Sequence, residues 1–183
     1  MYYAIIRPTS PRGAELRWNQ LSVAGGKAAR DVEWGKVQAK DSAGLDNNNN
    51  GNPPKTYGKP PNQTRPDAFS KGKAVDVKSV PDTPGPDGEP RKVYDTDQMN
   101  KQRKGAANDP DGEKGHAVII SNGDRDNVEP SGPLADKSTV VHHNPDDDSW
   151  SKWTPANEEN VEPGGWDDIS KRTARRMLKS PTE

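Results

Sequence analysis

The chain has 183 residues, with 27 basic against 28 acidic side chains, 18 prolines, 17 glycines and no cysteine. Near-neutrality removes the field of a dedicated polyanion binder, and the absent cysteine excludes a disulfide framework or a thiolate zinc site. Leu, Ile, Val and Phe together number only 23, which is little oil against the entropy of ordering such a chain. The expected fold class is a mostly intrinsically disordered or extended coil, with a short C-terminal α-helix, at most two short β-strands and no autonomous globular core.

Residues 1–30 form a basic N-terminal segment, with Arg7, Arg12, Arg17, Lys27 and Arg30 against the single acid Glu15. Arg-rich, acid-poor leaders of this kind read as organelle transit peptides, which would place the protein in a mitochondrial or other organelle matrix. The alternative is a short strand at "YYAII" followed by a loop, in a cytoplasmic protein. Residues 31–115 read as a disordered Pro/Gly/Asn-rich region. A transient helix spans Lys27 to Lys40, where Ala29, Val32 and Val37 share a loose face interrupted by Gly35.

Within that region "DNNNNG", Asp46 to Gly51, satisfies the first half of an EF-hand loop. Its twelfth position is Tyr57 where a bidentate carboxylate is required, and Pro53 and Pro54 stand where a helix should begin, so it reads as a turn-rich polar tract. Residues 116–143 hold the two strand candidates, "HAVIIS" (His116 to Ser121) and "STVVHH" (Ser138 to His143), expected as a loose antiparallel pair. The longest apolar run, Ala117 to Ile120, is far below the ~20 residues of a membrane helix. Residues 144–165 are an acidic Trp-containing segment, and residues 166–180 an amphipathic basic helix stopped by Pro181. There Trp166, Ile169, Thr173 and Met177 fall at helical spacing, flanked by Lys171, Arg172, Arg175 and Arg176.

Chemistry-bearing patterns are sparse. His142 and His143 would project to opposite sides of a strand, a poor geometry for shared ligation. A catalytic triad needs a rigid supporting shell, which this composition does not promise. The expectation is therefore a non-enzymatic chain with no catalytic, cofactor or dedicated metal residue, and only weak divalent cation binding at Asp124 to Glu129 and at Asp146 to Asp148. Nucleic-acid binding is not expected of a near-neutral chain, although the basic C-terminal helix and Trp18 or Trp34 speak for it.

Protein partners are expected instead. Trp150, Trp153 and Trp166, with Ile169, Arg172, Arg175, Arg176 and Met177, are the candidate docking residues, because exposed aromatics and arginines supply a large share of interface energy. Their alternative is a local cluster over the C-terminal helix.

Over residues 27–183 the Gly-rich, hydrophilic, Cys-free and charge-balanced composition resembles that of hydrophilins and late-embryogenesis-abundant stress proteins. "RPTSPRGAELR" and "WSKWTPANEENVEPGGWDD" are loosely similar to the leader and tail of organelle-targeted members. The resemblance implies a stress or desiccation protectant, a hydrated polyampholyte that shields client surfaces. The reading from another class is a structural or assembly protein lying extended across a larger complex, ordered by its partners.

Overall fold

Three short runs rich in β-branched residues, "KAVDVKS", "HAVIIS" and "TVVHH", are the centre of the molecule. In the computed structural model, which describes residues 27–48, 54–70, 73–109, 115–156 and 164–179, they form parallel neighbours in one sheet. In chain order the elements are α1 (Lys27–Ala43), β1 (Asp46–Asn47), β2 (Ala68–Ser70), β3 (Lys73–Ser79), β4 (Arg91–Val93), α2 (Asp97–Ala107), β5 (His116–Ser121), β6 (Val128–Pro130), α3 (Gly132–Lys137), β7 (Thr139–His143), β8 (Trp150–Thr154), β9 (Gly165–Ile169) and α4 (Lys171–Lys179). The main sheet runs β1-β2-β3-β5-β7-β8-β9, antiparallel at both edges, and β4 and β6 make a separate parallel pair.

This corrects the expectation of a mostly disordered coil with at most two strands. The tally of large apolar side chains omitted alanine, and Ala39, Ala43, Ala68, Ala74, Ala106, Ala117 and Ala174 are all fully buried. Small side chains let helices approach a sheet closely, so few large ones are needed to fill the gap between layers. Parallel strands covered on both faces also concentrate the scarce valines and isoleucines where each is wholly removed from water.

The two faces are packed separately. Val75, Val77, Ala117, Ile119 and Val141 meet Ala39 and Ala43 of α1, Ala174 and Leu178 of α4, and Trp150. On the other side Val118, Ile120 and Val140 meet Met99 of α2, Leu134 of α3 and Val128. Residues alternate between the layers along each strand, as the pleat requires.

Other boundaries move as well. The strands 116–121 and 139–143 are parallel neighbours rather than an antiparallel pair, because α3 returns the chain to the same end of the sheet. The helix expected over 166–180 is split, Gly165–Ile169 being β9 and only Lys171–Lys179 helical. The basic N-terminal segment up to residue 26, the middle of the Asn run (49–53) and residues 157–163 lie outside the described residues.

Helix α2 has a polar sequence, "DQMNKQRKGAA", yet is well founded. Thr96 caps it by accepting a hydrogen bond from Met99 N at 3.2 Å, and Met99, Gln102 and Ala106 point inward. Gly105 allows close approach: a Cβ there would stand 2.3 Å from carbons of the Tyr57 ring. Gly105→Ala is expected to lose about 1–3 kcal/mol to overpacking, outweighing roughly 1 kcal/mol of helix propensity. A lowered urea midpoint checks this.

Candidate functional site

The short strand β2 leaves β3 while β3 continues, and the site lies at that fork. Extending the register Ala68↔Val75 by one residue sets Asp67 opposite Asp76, and directly opposed residues of an antiparallel pair share a face. With β2 departed, the Val77 N–H has no strand carbonyl on that side and donates to Asp67 Oδ2 at 2.8 Å. Val75 and Val77 face the core under α1, which turns Asp76 and Lys78 to the opposite face.

Asp76 is 1% exposed. Lys78 Nζ stands 2.5 Å from Asp76 Oδ2 as an ion pair, but no donor among the described residues makes an aligned hydrogen bond to that oxygen. Burial raises the Asp76 carboxyl above the usual range; the Lys78 charge opposes this, and the Asp67 carboxylate adds to it. The Lys78 ammonium thus meets the buried Asp76 carboxylate directly, and the Asp67 carboxylate faces the pair. Such an arrangement costs stability, and a bound cation would offset that cost.

The donor set available to a cation is small. Among the described residues no group of three or more His, Asp or Glu side chains converges, which disfavours a closed protein cage. Magnesium-type ions are commonly held by one or two carboxylates with water and substrate phosphate oxygens completing the shell.

A second polar network holds the neighbouring layer. Arg103 donates from Nη2 to both Asp95 oxygens, at 2.6 and 2.7 Å, and from Nη1 to Ser138 Oγ at 3.0 Å. The Ser138 hydroxyl then faces His116 Nδ1 at 2.9 Å, so Nε2 carries the ring proton and donates to Gln102 Oε1 at 2.9 Å. Gln102 in turn reaches Thr64 Oγ1 at 3.5 Å. Burial, reinforced by the Arg103 charge, lowers the His116 pKa to about 3, and burial lowers that of His142 to about 4.

These depressions fix a pH dependence. Below the ordinary histidine value of 6.5 the unfolded chain takes up protons that the folded chain refuses, so stability present above pH 6.5 is lost as pH falls toward 4. The urea midpoint is expected to fall between pH 7 and pH 4.5, by an amount worth several kcal/mol; a midpoint flat over that range contradicts the burial of neutral histidines.

His142 and His143 do face opposite layers. His142 Nε2 lies 2.5 Å from Asn122 Oδ1 and its ring is 5.6 Å from that of Trp166, while the His143 ring is 4.6 Å from that of Trp150. His143 Nε2 meets Asp148 Oδ1 at 3.1 Å. Asp148 also takes Ser42 of α1, and Lys171 of α4 at 2.5 Å. Burial works to raise the Asp148 carboxyl, but the hydrogen bonds from Lys171, Ser42 and His143 outweigh it and hold the pKa at about 2.

The expected cation-collecting acids are engaged in structure. Asp124 caps the short turn before β6, accepting from Asp126 N and Asn127 Nδ2, and Asp147 accepts from Ser149 N. The candidate docking residues do not gather on one face. Trp150, 2% exposed, lies in the core under α1 and α4, where Ile169 and Met177 also pack. Trp153 and Trp166 make an edge-to-face pair 5.1 Å apart on the other side, and Trp166 Nε1 donates to Val128 O at 2.9 Å. Arg172, Arg175 and Arg176 are exposed, Arg175 Nε donating to Ser42 O at 2.9 Å.

Sequence reasoning passed over Asp67, Asp76 and Lys78. The available signal was "AVDVKS", in which two valines at alternate positions carry an acid and a lysine on the other face of one strand. No helix among the described residues is long and apolar enough to cross a membrane. Compared with protein-family models, curated proteins and solved structures, the chain matches none.

Proposed function

We propose that the protein is a hydrolase of phosphodiesters that works with a magnesium-type cation held by Asp67 and Asp76. The observation that supports this is the buried Asp76 carboxylate set opposite Asp67, with Lys78 Nζ 2.5 Å from its Oδ2. The ion would polarise a phosphoryl oxygen and neutralise charge developing there. Asp67 and Asp76 would hold it, each oriented by the strand fork. Lys78, paired with Asp76 and with its side chain 32% exposed, would meet a phosphate oxygen as a point charge once released from that pair.

In this reading water is the attacking group. Its oxygen bonds to phosphorus, one ester P–O bond breaks, and the alcohol leaves with a proton; nothing is oxidised or reduced. The protectant expectation drew its support from disorder, and an ordered fold removes that support. The enzyme reading needs a rigid shell around the reacting groups, and the buried strands β3 and β5 are a frame of that kind.

The test is hydrolysis of bis(p-nitrophenyl) phosphate and of labelled single-stranded and duplex oligonucleotides, with magnesium and with a chelator. Chelator-sensitive cleavage of at least one of them is expected. Failure on all of them in saturating magnesium overturns the reading.

A further inference from the structure

Helix α4 presents a charged surface on the layer away from Asp76. We infer that its outer face binds the phosphodiester backbone of a nucleic acid, reading charge and not base sequence. The inference stands independently of the proposed cation site. In nine positions α4 carries five basic residues and no acid. Lys171 is taken by Asp148 at 2.5 Å. Arg172, Arg175, Arg176 and Lys179 recur at i, i+3, i+4 and i+7, the spacing of a single helical stripe, and all four are exposed. Ala174 and Leu178 on the opposite stripe are fully buried, with Met177 packed beside them. The core therefore fixes which way the basic stripe points.

Arg175 is already committed to the carbonyl end of α1, where it donates to Ser42 O at 2.9 Å. The side chains of Arg172, Arg176 and Lys179 have no hydrogen-bond or ion-pair partner among the described residues. From Arg172 to Lys179 the helix rises about 10 Å, at ~1.5 Å per residue, which is about three nucleotide steps at ~3.4 Å along one strand. A formal net charge of −1 gives no attraction to a polyanion at long range. Within a Debye length of about 10 Å the nearest charges decide, and α4 supplies cations alone.

The same geometry selects the partner. A basic helix that lies in a membrane surface needs a free apolar face, and that of α4 is spent on the core. A protein partner draws most of its binding energy from desolvated aromatic or apolar anchors, and the outer stripe holds none. What remains is recognition by charge, for which the guanidinium forks of Arg172 and Arg176 suit phosphate oxygens.

The test is fluorescence anisotropy of labelled single-stranded and duplex oligonucleotides with the full chain. A chelator is present throughout, so that failure of the hydrolase reading leaves the result untouched. Binding is expected in the micromolar range and insensitive to sequence, with log K against log salt falling at a slope of about −3 on the duplex between about 50 and 200 mM. Arg172→Ala with Arg176→Ala is expected to weaken binding at least tenfold at about 50 mM salt and to reduce the slope by about 2. Lys101→Ala with Lys104→Ala removes the same charge from exposed positions of α2 on the other layer, and is expected to stay within twofold of wild type. No binding by wild type at about 50 mM salt, an equal loss in the α2 pair, or tighter binding to phosphatidylserine vesicles than to either oligonucleotide overturns the inference. If the arginine-to-alanine pair does not fold, Arg172→Lys with Arg176→Lys decides, since it keeps the charge. Binding within threefold of wild type supports the inference, and a folded lysine pair that no longer binds overturns it.

Discussion

Asp76→Asn is expected to abolish hydrolysis while making the apo protein more stable. The carboxyl is 1% exposed, faces Asp67 and carries a raised pKa because burial penalises its charged form. A raised carboxyl pKa means that the folded state holds the proton more tightly than the unfolded chain. The folded chain is therefore relatively favoured at low pH and loses that advantage as pH rises through the raised value. Removing the charge restores what was lost, fully above the raised pKa and not at all below about pH 4.

Activity moves the other way. Loss of one of the two carboxylates proposed to hold the cation is expected to lower kcat/KM by about 10³-fold or more. Added magnesium gives a further check, since it stabilises only a chain that binds it. The wild-type melting temperature should rise with magnesium and that of Asp76→Asn should not. A variant less stable than wild type at pH 8 without metal would mean that Asp76 is a structural ion-pair partner of Lys78.

Trp150→Ala is expected to cost about 3–5 kcal/mol of stability, as truncation of a buried aromatic does. The indole is 2% exposed, donates from Nε1 to Ser42 Oγ at 3.2 Å and stacks obliquely on His143. For a domain whose total stability is of the order of 5–15 kcal/mol, that is a large fraction. Arg176→Ala on the exposed side of α4 is expected to stay within about 0.5 kcal/mol of wild type. Urea denaturation of the two variants separates the roles: Trp150 as core, Arg176 as surface. Loss of a partner with Trp150→Ala in a pull-down would then report unfolding, unless the variant melts like wild type.

What could be read from the residues depended on how far each pattern carried its own context. "HAVIIS" and "STVVHH" were visible as strands because β-branched runs of that length have few alternatives. Their parallel pairing was hidden, since it rests on α3, whose "GPLADK" carries one large apolar residue. Helix α2 escaped notice because its inward face is Met99, Gln102 and Ala106, of which only Met99 registers as apolar weight.

The site was hidden more deeply. Asp67 lies nine residues before Asp76, and nothing in composition sets the two face to face. Only the register of β2 on β3 does so, and β2 is three residues long. Buried acids are costly to a fold, so a reading guided by stability alone discounts positions such as Asp76.

The hydrogen bonds at Ser42 bear on how such a chain can be made. They join it to Asp148, Trp150 and Arg175, respectively 106, 108 and 133 positions further along. A growing polypeptide therefore carries α1 through a long further stretch of chain before α4, which shares its layer, has emerged. Closure of that layer waits on α4, and the nascent protein should acquire protease resistance in one late step rather than strand by strand.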